Sequence, residues 1–344
     1  MDYKLLFGFV VALAGCAIDD ADVDTDTDSI HQEAGCSPVV CGTNNPQLFV
    51  AWGGTGVPFY ELNEQGEPNP QGIKLLGIRF NKTMYSVNVA RGRLTATKSG
   101  RPTLSGVSLV GGSLVLQYGE RETLLQIVEV GLTTFFDGGP AETYKIVQQK
   151  DLAGVDVEVN VCSVPSSIDG VSPGMDGSHM VLFEGERIDP TTKTISSTID
   201  PNWFTLGCAG HLLSKVFLTR HAWASLSTNY APTLAQRQTM VRFYSADYCG
   251  TGRSFTIGGL VTVGFRDDMG GHPNWSPLDP SRLRLEADWG PNGAICLEYP
   301  RDAGIDVESA ILSECARPPS CSSLYGNADI NAFNGAHIVS AAPI

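Results

Sequence analysis

The stretch Ala246-Asp247-Tyr248-Cys249-Gly250-Thr251-Gly252-Arg253-Ser254-Phe255-Thr256 joins two kinds of local pattern, and its reading decides the fold. Upstream, residues 233–245 space Leu234, Met240, Val241 and Tyr244 on one helical face and leave Arg237 and Arg242 to reach solvent. Pro232 suits the first turn of that helix. Gly250 supplies the stop, because glycine takes the left-handed cap conformation without a steric penalty. Downstream, residues 254–257 and 260–263 are strand-like runs on either side of Gly258-Gly259, a two-residue turn suited to a tight hairpin. The expected order is helix, cysteine, hairpin. Asp247 is expected to cap a neighbouring backbone amide and the Tyr248 hydroxyl to bond within the core.

These residues resemble the ADYC domain, a family of secreted or lipid-anchored bacterial proteins, notably of myxobacteria. The resemblance rests on Ala246-Asp247-Tyr248-Cys249-Gly250 with Gly252, on Cys208 in a Gly-Cys-x-Gly context, and on Ala287-Asp288-Trp289 leading to Gly293-Ala294-Ile295-Cys296. The family carries no established activity, so the resemblance implies a fold and a location. It also implies two bonds, Cys208 with Cys249 and Cys296 with Cys315. Two further cysteines usual in the family are replaced together here, at Lys215-Val216 and Thr239-Met240.

Working outward, residues 48–204 read as strands, at 73–80, 85–90, 107–110, 114–118, 124–131, 144–148, 155–161 and 180–183. The run Val155-Asp156-Val157-Glu158-Val159-Asn160-Val161 alternates apolar and polar, as a half-buried antiparallel strand does. Gly111-Gly112, Gly138-Gly139-Pro140 and Asp169-Gly170 punctuate these runs as turns. After residue 205 a helical face of Leu212, Leu213, Val216 and Phe217 appears, and strands follow at 283–289 and 294–299. The expected fold class is α+β and mostly β. A β-sandwich or barrel-like part over 36–204 precedes a smaller disulfide-linked part over 205–321, and a loosely attached tail follows over 322–344.

The 344 residues carry a formal charge of −14, with 42% hydrophobic and 17% charged residues. Six aspartates lie between Asp19 and Asp28, with Glu33 behind them; without these and the Asp2/Lys4 pair, 22 basic residues face 29 acidic ones. No basic stripe exists to bind nucleic acid. The N-terminus has an apolar core over 5–15, too short to span a bilayer. It ends Leu13-Ala14-Gly15-Cys16, a lipobox-like sequence in which Cys16 takes the lipid after removal of residues 1–15. Residues 16–35 then form an acidic tether. Ala17 rather than Asp after the cysteine favours the outer membrane or cell surface over the inner membrane. The alternating aspartates lack the glycine and closing glutamate of a calcium loop.

Nine cysteines are present, and setting aside Cys16 leaves an even eight, a disulfide framework in an exported chain. Beyond the two bonds the resemblance implies, Cys36 with Cys41 and Cys162 with Cys321 complete one assignment among many. Zinc is the alternative, but no cysteine pair has the two-residue gap of a knuckle.

Chemistry is sparsely signalled. Cys249 with His211 or His221 would be a thiol and its base, but half-cystine is the simpler role. Gly250-Thr251-Gly252-Arg253 follows a helix, whereas phosphate loops precede one. Asp267, Asp268 and His272 offer metal-ligating groups without a second spaced histidine. No Gly-x-Ser-x-Gly or His-Glu-x-x-His motif occurs. Neither catalytic residue nor cofactor nor metal is expected. Two function classes stay open: a non-catalytic surface lipoprotein binding protein or polysaccharide, and a hydrolase of envelope or external polymer. A pocket joining two carboxylates, or a histidine beside a hydroxyl, favours the second.

Overall fold

The structure, a computed structural model, describes residues 48–52, 55–152, 155–162, 178–189, 191–256, 264–269, 283–301, 306–326 and 335–343. Strands β1 (Leu48–Trp52) and β2 (Thr55–Phe59) form a two-stranded antiparallel ribbon. Eleven strands then build one antiparallel sheet: β3 (Glu61–Asn63), β4 (Ile73–Phe80), β5 (Thr83–Ala90), β6 (Arg93–Thr97), β7 (Leu104–Ser105), β8 (Ser113–Tyr118), β9 (Arg121–Thr134), β10 (Pro140–Leu152), β11 (Val155–Asn160), β12 (Met180–Gly185) and β13 (Asp200–Cys208). Their order is β3-β13-β12-β10-β9-β8-β4-β5-β6-β7, with β11 paired to β10 off this path.

Alternation causes the strands: β5 buries Tyr85, Val87 and Val89 and exposes Ser86, Asn88 and Ala90. Asn81 and Lys82, both at positive φ, make the two-residue turn between β4 and β5. Register shifts at Leu75/Gly77, Lys145/Ile146 and Glu184/Gly185 bend the sheet, so that β12 packs across β5 and β6. The Leu94 amide on β6 donates to the Tyr144 hydroxyl on β10 at 2.8 Å across the fold. Leu62, Ile78, Leu116, Ile127 and Phe204 fill the interior. The sheet curls over its own core and does not close into a barrel.

Helices α1 (Leu212–Leu218) and α2 (Leu234–Tyr244) follow. A second antiparallel sheet comprises β14 (Gly264–Asp267), β15 (Leu283–Gly290), β16 (Gly293–Leu297) and, after helices α3 (Val307–Glu314) and α4 (Cys321–Tyr325), β17 (Ile338–Pro343). Its order is β14-β17-β15-β16. Phe217, Phe243, Tyr248 and Trp289 share a core with Val181 and Phe183 of β12. Leu182 of the same strand faces the other core, so β12 is apolar on both faces. No helix among the described residues is long and apolar enough to cross a membrane.

Several expectations are corrected. Residues 107–110 are not a strand: a 3-10 turn, Gly106–Leu109, forms where Ser105 N donates to Ser108 Oγ at 2.7 Å, and Val107 stays exposed. Helix α2 starts at Thr233, whose hydroxyl accepts from Gln236 N while the Gln236 side chain accepts from Thr233 N, so Pro232 precedes the cap. Its end is Ser245 followed by Ala246 at φ 48°, four residues before Gly250. Arg237 and Arg242 do not reach solvent, because each is drawn inward by a buried carboxylate, Glu186 and Asp247. Residues 254–256 belong to no strand, and residues 257–263 of the expected hairpin lie outside the described residues. The tail is not loose at its end, since β17 pairs on both sides, with β14 and β15.

The cysteine pairings also differ. The bonds are Cys162–Cys208, Cys249–Cys315 and Cys296–Cys321, replacing Cys208–Cys249, Cys296–Cys315 and Cys162–Cys321. Pairing of β11 with β10 carries Cys162 to the end of the large sheet, where Cys208 closes β13. Helix α3 ends at Cys315 beside the turn that bears Cys249, and α4 begins at Cys321 beside β16. Cys16, Cys36 and Cys41 lie outside the described residues.

Candidate functional site

Asp247 is fully buried at the end of α2, and its two oxygens organise the turn that follows. Oδ1 accepts from Thr251 N at 3.1 Å, and Oδ2 accepts from Gly252 N at 2.7 Å and Arg242 Nη1 at 2.5 Å. The expected capping role is therefore met by two amides. Tyr248 stacks on Trp289 at 5.1 Å between centroids, donates to Glu286 Oε1 at 2.8 Å and accepts from Arg301 N at 2.9 Å. Burial, and then Glu286, pushes the Tyr248 hydroxyl well above its ordinary value, so it stays a donor. A Cβ on Gly250 would lie 2.0 Å from Asn292 O, so this glycine serves close approach to the β15–β16 turn.

The turn grips the loop between β12 and β13. Arg242 Nη1 donates to Thr192 O at 2.7 Å, and Gln238 accepts from Ile195 N at 2.7 Å and donates to Lys193 O at 2.9 Å. Lys193, itself buried, donates to Gly252 O and, at 2.7 Å, to Ser254 Oγ. Burial lowers its ammonium to about 8. A Cβ on Gly252 would meet Thr191 O at 2.1 Å. The gripped loop is braced by an Ile188–Ile195 bridge and by a turn in which Asp189 Oδ1 accepts from the amides of Thr191 and Thr192.

That loop is one wall of a groove of about 640 Å³, whose other wall is formed by Tyr60, Glu61, Pro70 and Gln71. Arg187 has its Cζ over the Trp203 ring, 3.9 Å from the centroid, and donates through Nε and Nη2 to both oxygens of Glu61 at 2.9 and 2.5 Å. Thr191, Thr192 and Thr194 present exposed positions along the rim. Gln71 Oε1 is buried and has no donor among the described residues. Hydroxyls, an amide, a guanidinium and two engaged carboxylates line it, a polar set that suits a hydroxyl-rich ligand.

The groove does join two carboxylates, and both are engaged by other groups. Glu61 has both oxygens committed to Arg187. The Thr192 amide above all holds Asp189 below the usual carboxylate range, so it is no proton donor. A histidine also stands beside a hydroxyl: Tyr230 contacts His221 Nε2 at 3.0 Å and donates to Asp267. Burial, and then Asp267, pushes the Tyr230 hydroxyl up, which disfavours the tyrosinate a nucleophile needs.

Other sequence candidates are dispersed. Cys249 is a half-cystine with Cys315 and is no nucleophile. His211 is buried at the start of α1. Asp267 is taken by Tyr230, Asp268 contacts Gln236 at 2.7 Å and His337 at 2.8 Å, and His272 lies outside the described residues. Asp288, Cys296 and Cys321 bring three potential metal-ligating atoms within 4.8 Å of one another, but a disulfide takes the two sulfurs. Lys193, Arg187 and Gln71 escaped the sequence reading, because nothing in their flanks marks them until the loop and sheet edge are brought together. The family model described as ADYC domain matches residues 106–303. Neither a curated protein nor a solved structure matches the chain.

Proposed function

We propose that this chain, which belongs to the ADYC domain family, is a lipid-anchored protein of the bacterial surface that binds envelope or external polysaccharide without cleaving it. The observation that carries the binding role is the groove between Tyr60, Glu61, Pro70 and Gln71 on one side and the clamped residues 187–189 and 191–196 on the other. Its carboxylates are engaged by Arg187 and by backbone amides, while Gln71 and the exposed Thr191 are among the polar residues that line it. The anchor reading rests on the Leu13-Ala14-Gly15-Cys16 ending and the acidic run behind it. Such a tether holds the folded part off the membrane, at the outer membrane or cell surface.

The test is retention of the purified full chain on immobilised bacterial exopolysaccharide and on peptidoglycan sacculi. The native chain is expected to be retained by at least one. Joint replacement Gln71→Ala and Thr191→Ala is expected to abolish retention with little change in melting temperature. Retention unchanged in the double variant, or release of new reducing ends by the native chain, overturns the reading.

A further inference from the structure

A second polar centre lies away from the groove, where β15, β16 and α4 meet. Asp288 of β15 stands opposite Cys296 of β16 in the backbone register, so the two side chains share one face. Cys321, the first residue of α4, bonds to Cys296 there. A carboxylate oxygen of Asp288 and the two sulfurs lie within 4.8 Å of one another.

Among the described residues seven carboxylate side chains are buried. Glu61, Glu186, Asp247 and Glu286 each face an arginine. Glu184 accepts the Arg91 amide, and Asp267 accepts the Tyr230 hydroxyl. Asp288, only 2% exposed, has neither a hydrogen-bond donor nor a cationic partner among the described residues. Burial alone pushes its carboxyl up to about 7, so the group holds a proton into the neutral range. The titratable groups facing it are the two half-cystines, from β16 and α4, and Tyr325 of α4, whose hydroxyl is raised by burial and by Asp288. β17 sets apolar Val339 opposite it.

We infer that Cys296–Cys321 is a site of thiol–disulfide exchange, with Asp288 as the built-in proton donor to the leaving sulfur. A thiolate of a small dithiol attacks one sulfur; a mixed disulfide forms as the Cys296–Cys321 bond breaks. The departing thiolate takes the Asp288 proton and becomes a thiol, leaving a carboxylate. The second thiolate of the reductant then displaces the remaining cysteine, whose thiolate is protonated from water, and Asp288 regains its proton from water. The protein disulfide gains two electrons and two protons, and the dithiol is oxidised to its own disulfide. Cys296 and Cys321 are both buried, so attack needs a local opening; among the described strands β16 lies at the edge of its sheet with Ile295 exposed, and α4 is five residues long with Leu324 exposed.

The experiment is reduction of the full chain by dithiothreitol between pH 6 and pH 8. Quenched samples are alkylated differentially, and each disulfide is followed by peptide mass. Divided by the concentration of attacking thiolate, the rate for Cys296–Cys321 is expected to fall about tenfold across that range as the acid is lost. The half-buried Cys249–Cys315 bond, which has no carboxylate grouped with its two sulfurs among the described residues, is the internal control and should show no fall. Asp288→Asn should slow Cys296–Cys321 at pH 6 and flatten its profile, leaving the control unchanged. Parallel profiles for the two bonds in the native chain overturn the proposal without any variant, as does an unchanged profile in Asp288→Asn.

Discussion

Arg242 Nη1 lies 2.5 Å from Asp247 Oδ2 and 2.7 Å from Thr192 O, so one guanidinium joins the end of a helix, the turn after it and the wall of the groove. The pair is almost wholly withdrawn from water, with side-chain exposures of 6% and 0%. A pair so buried is weak evidence for net stability, but removing one partner strands the other charge. The Asp-Tyr-Cys turn is therefore a structural brace whose effect is felt at the groove.

Asp247→Ala should destabilise the fold by about 3–5 kcal/mol, since it leaves Arg242 unpaired and frees two amides. Arg253→Ala, which removes a surface pair with Glu314, should cost less than about 1 kcal/mol. Urea unfolding of both variants checks the contrast, and equal losses would refute the brace.

Gly252→Ala should be far more damaging than Gly119→Ala. Both glycines have positive φ, but only at Gly252 would a Cβ strike backbone, Thr191 O at 2.1 Å. The Gly119 change should cost about 1–2 kcal/mol, the ordinary left-handed penalty. Thermal melts of the two variants measure the difference, and comparable melting temperatures would contradict the close approach.

Peptide mapping of the unreduced chain should recover Cys249 linked to Cys315 and Cys162 linked to Cys208. Replacing Cys249 and Cys315 together should cost about 4 kcal/mol in the chain-entropy model, because the bond closes 66 residues of separation. A Cys208–Cys249 peptide would contradict the fold described.

Asp288→Asn should change stability with a definite pH dependence. Burial raises the folded carboxyl from 3.8 to about 7, so the native state holds this proton more tightly than the unfolded chain. Its contribution to stability is fully present below the unfolded value and is lost as pH rises through 7. Relative to the native chain, the variant should gain melting temperature between pH 5 and pH 8. A pH-independent difference would show that Asp288 is not raised.

Cys16→Ala should move the protein from the membrane fraction to the soluble fraction if Cys16 carries the anchor. Continued membrane retention would remove the lipidation reading.

Much of the β architecture was legible because alternation is local: Tyr85, Val87 and Val89 mark a strand without knowledge of its partners. The curl was not, since it depends on bulges such as that at Lys145/Ile146, which no residue type announces. β17 is hidden for a related reason. Its Ile-Val-Ser-Ala-Ala-Pro sequence is weakly apolar and becomes a strand only between β14 and β15. Arg237 and Arg242 misled because arginines on a helix usually point outward, whereas Glu186 and Asp247 wait on the inner side. The groove could not be read at all. Glu61 and Arg187 are 126 residues apart, and only the pairing of β3 with β13, beside β12, brings them together.

Amide hydrogen exchange on the full chain, with and without the retained polysaccharide, tests the binding role most directly. The account predicts slowed exchange over residues 187–196 together with 60–71, and no shortening of the polymer. Protection confined to other segments, or unchanged exchange accompanied by new reducing ends, would contradict it.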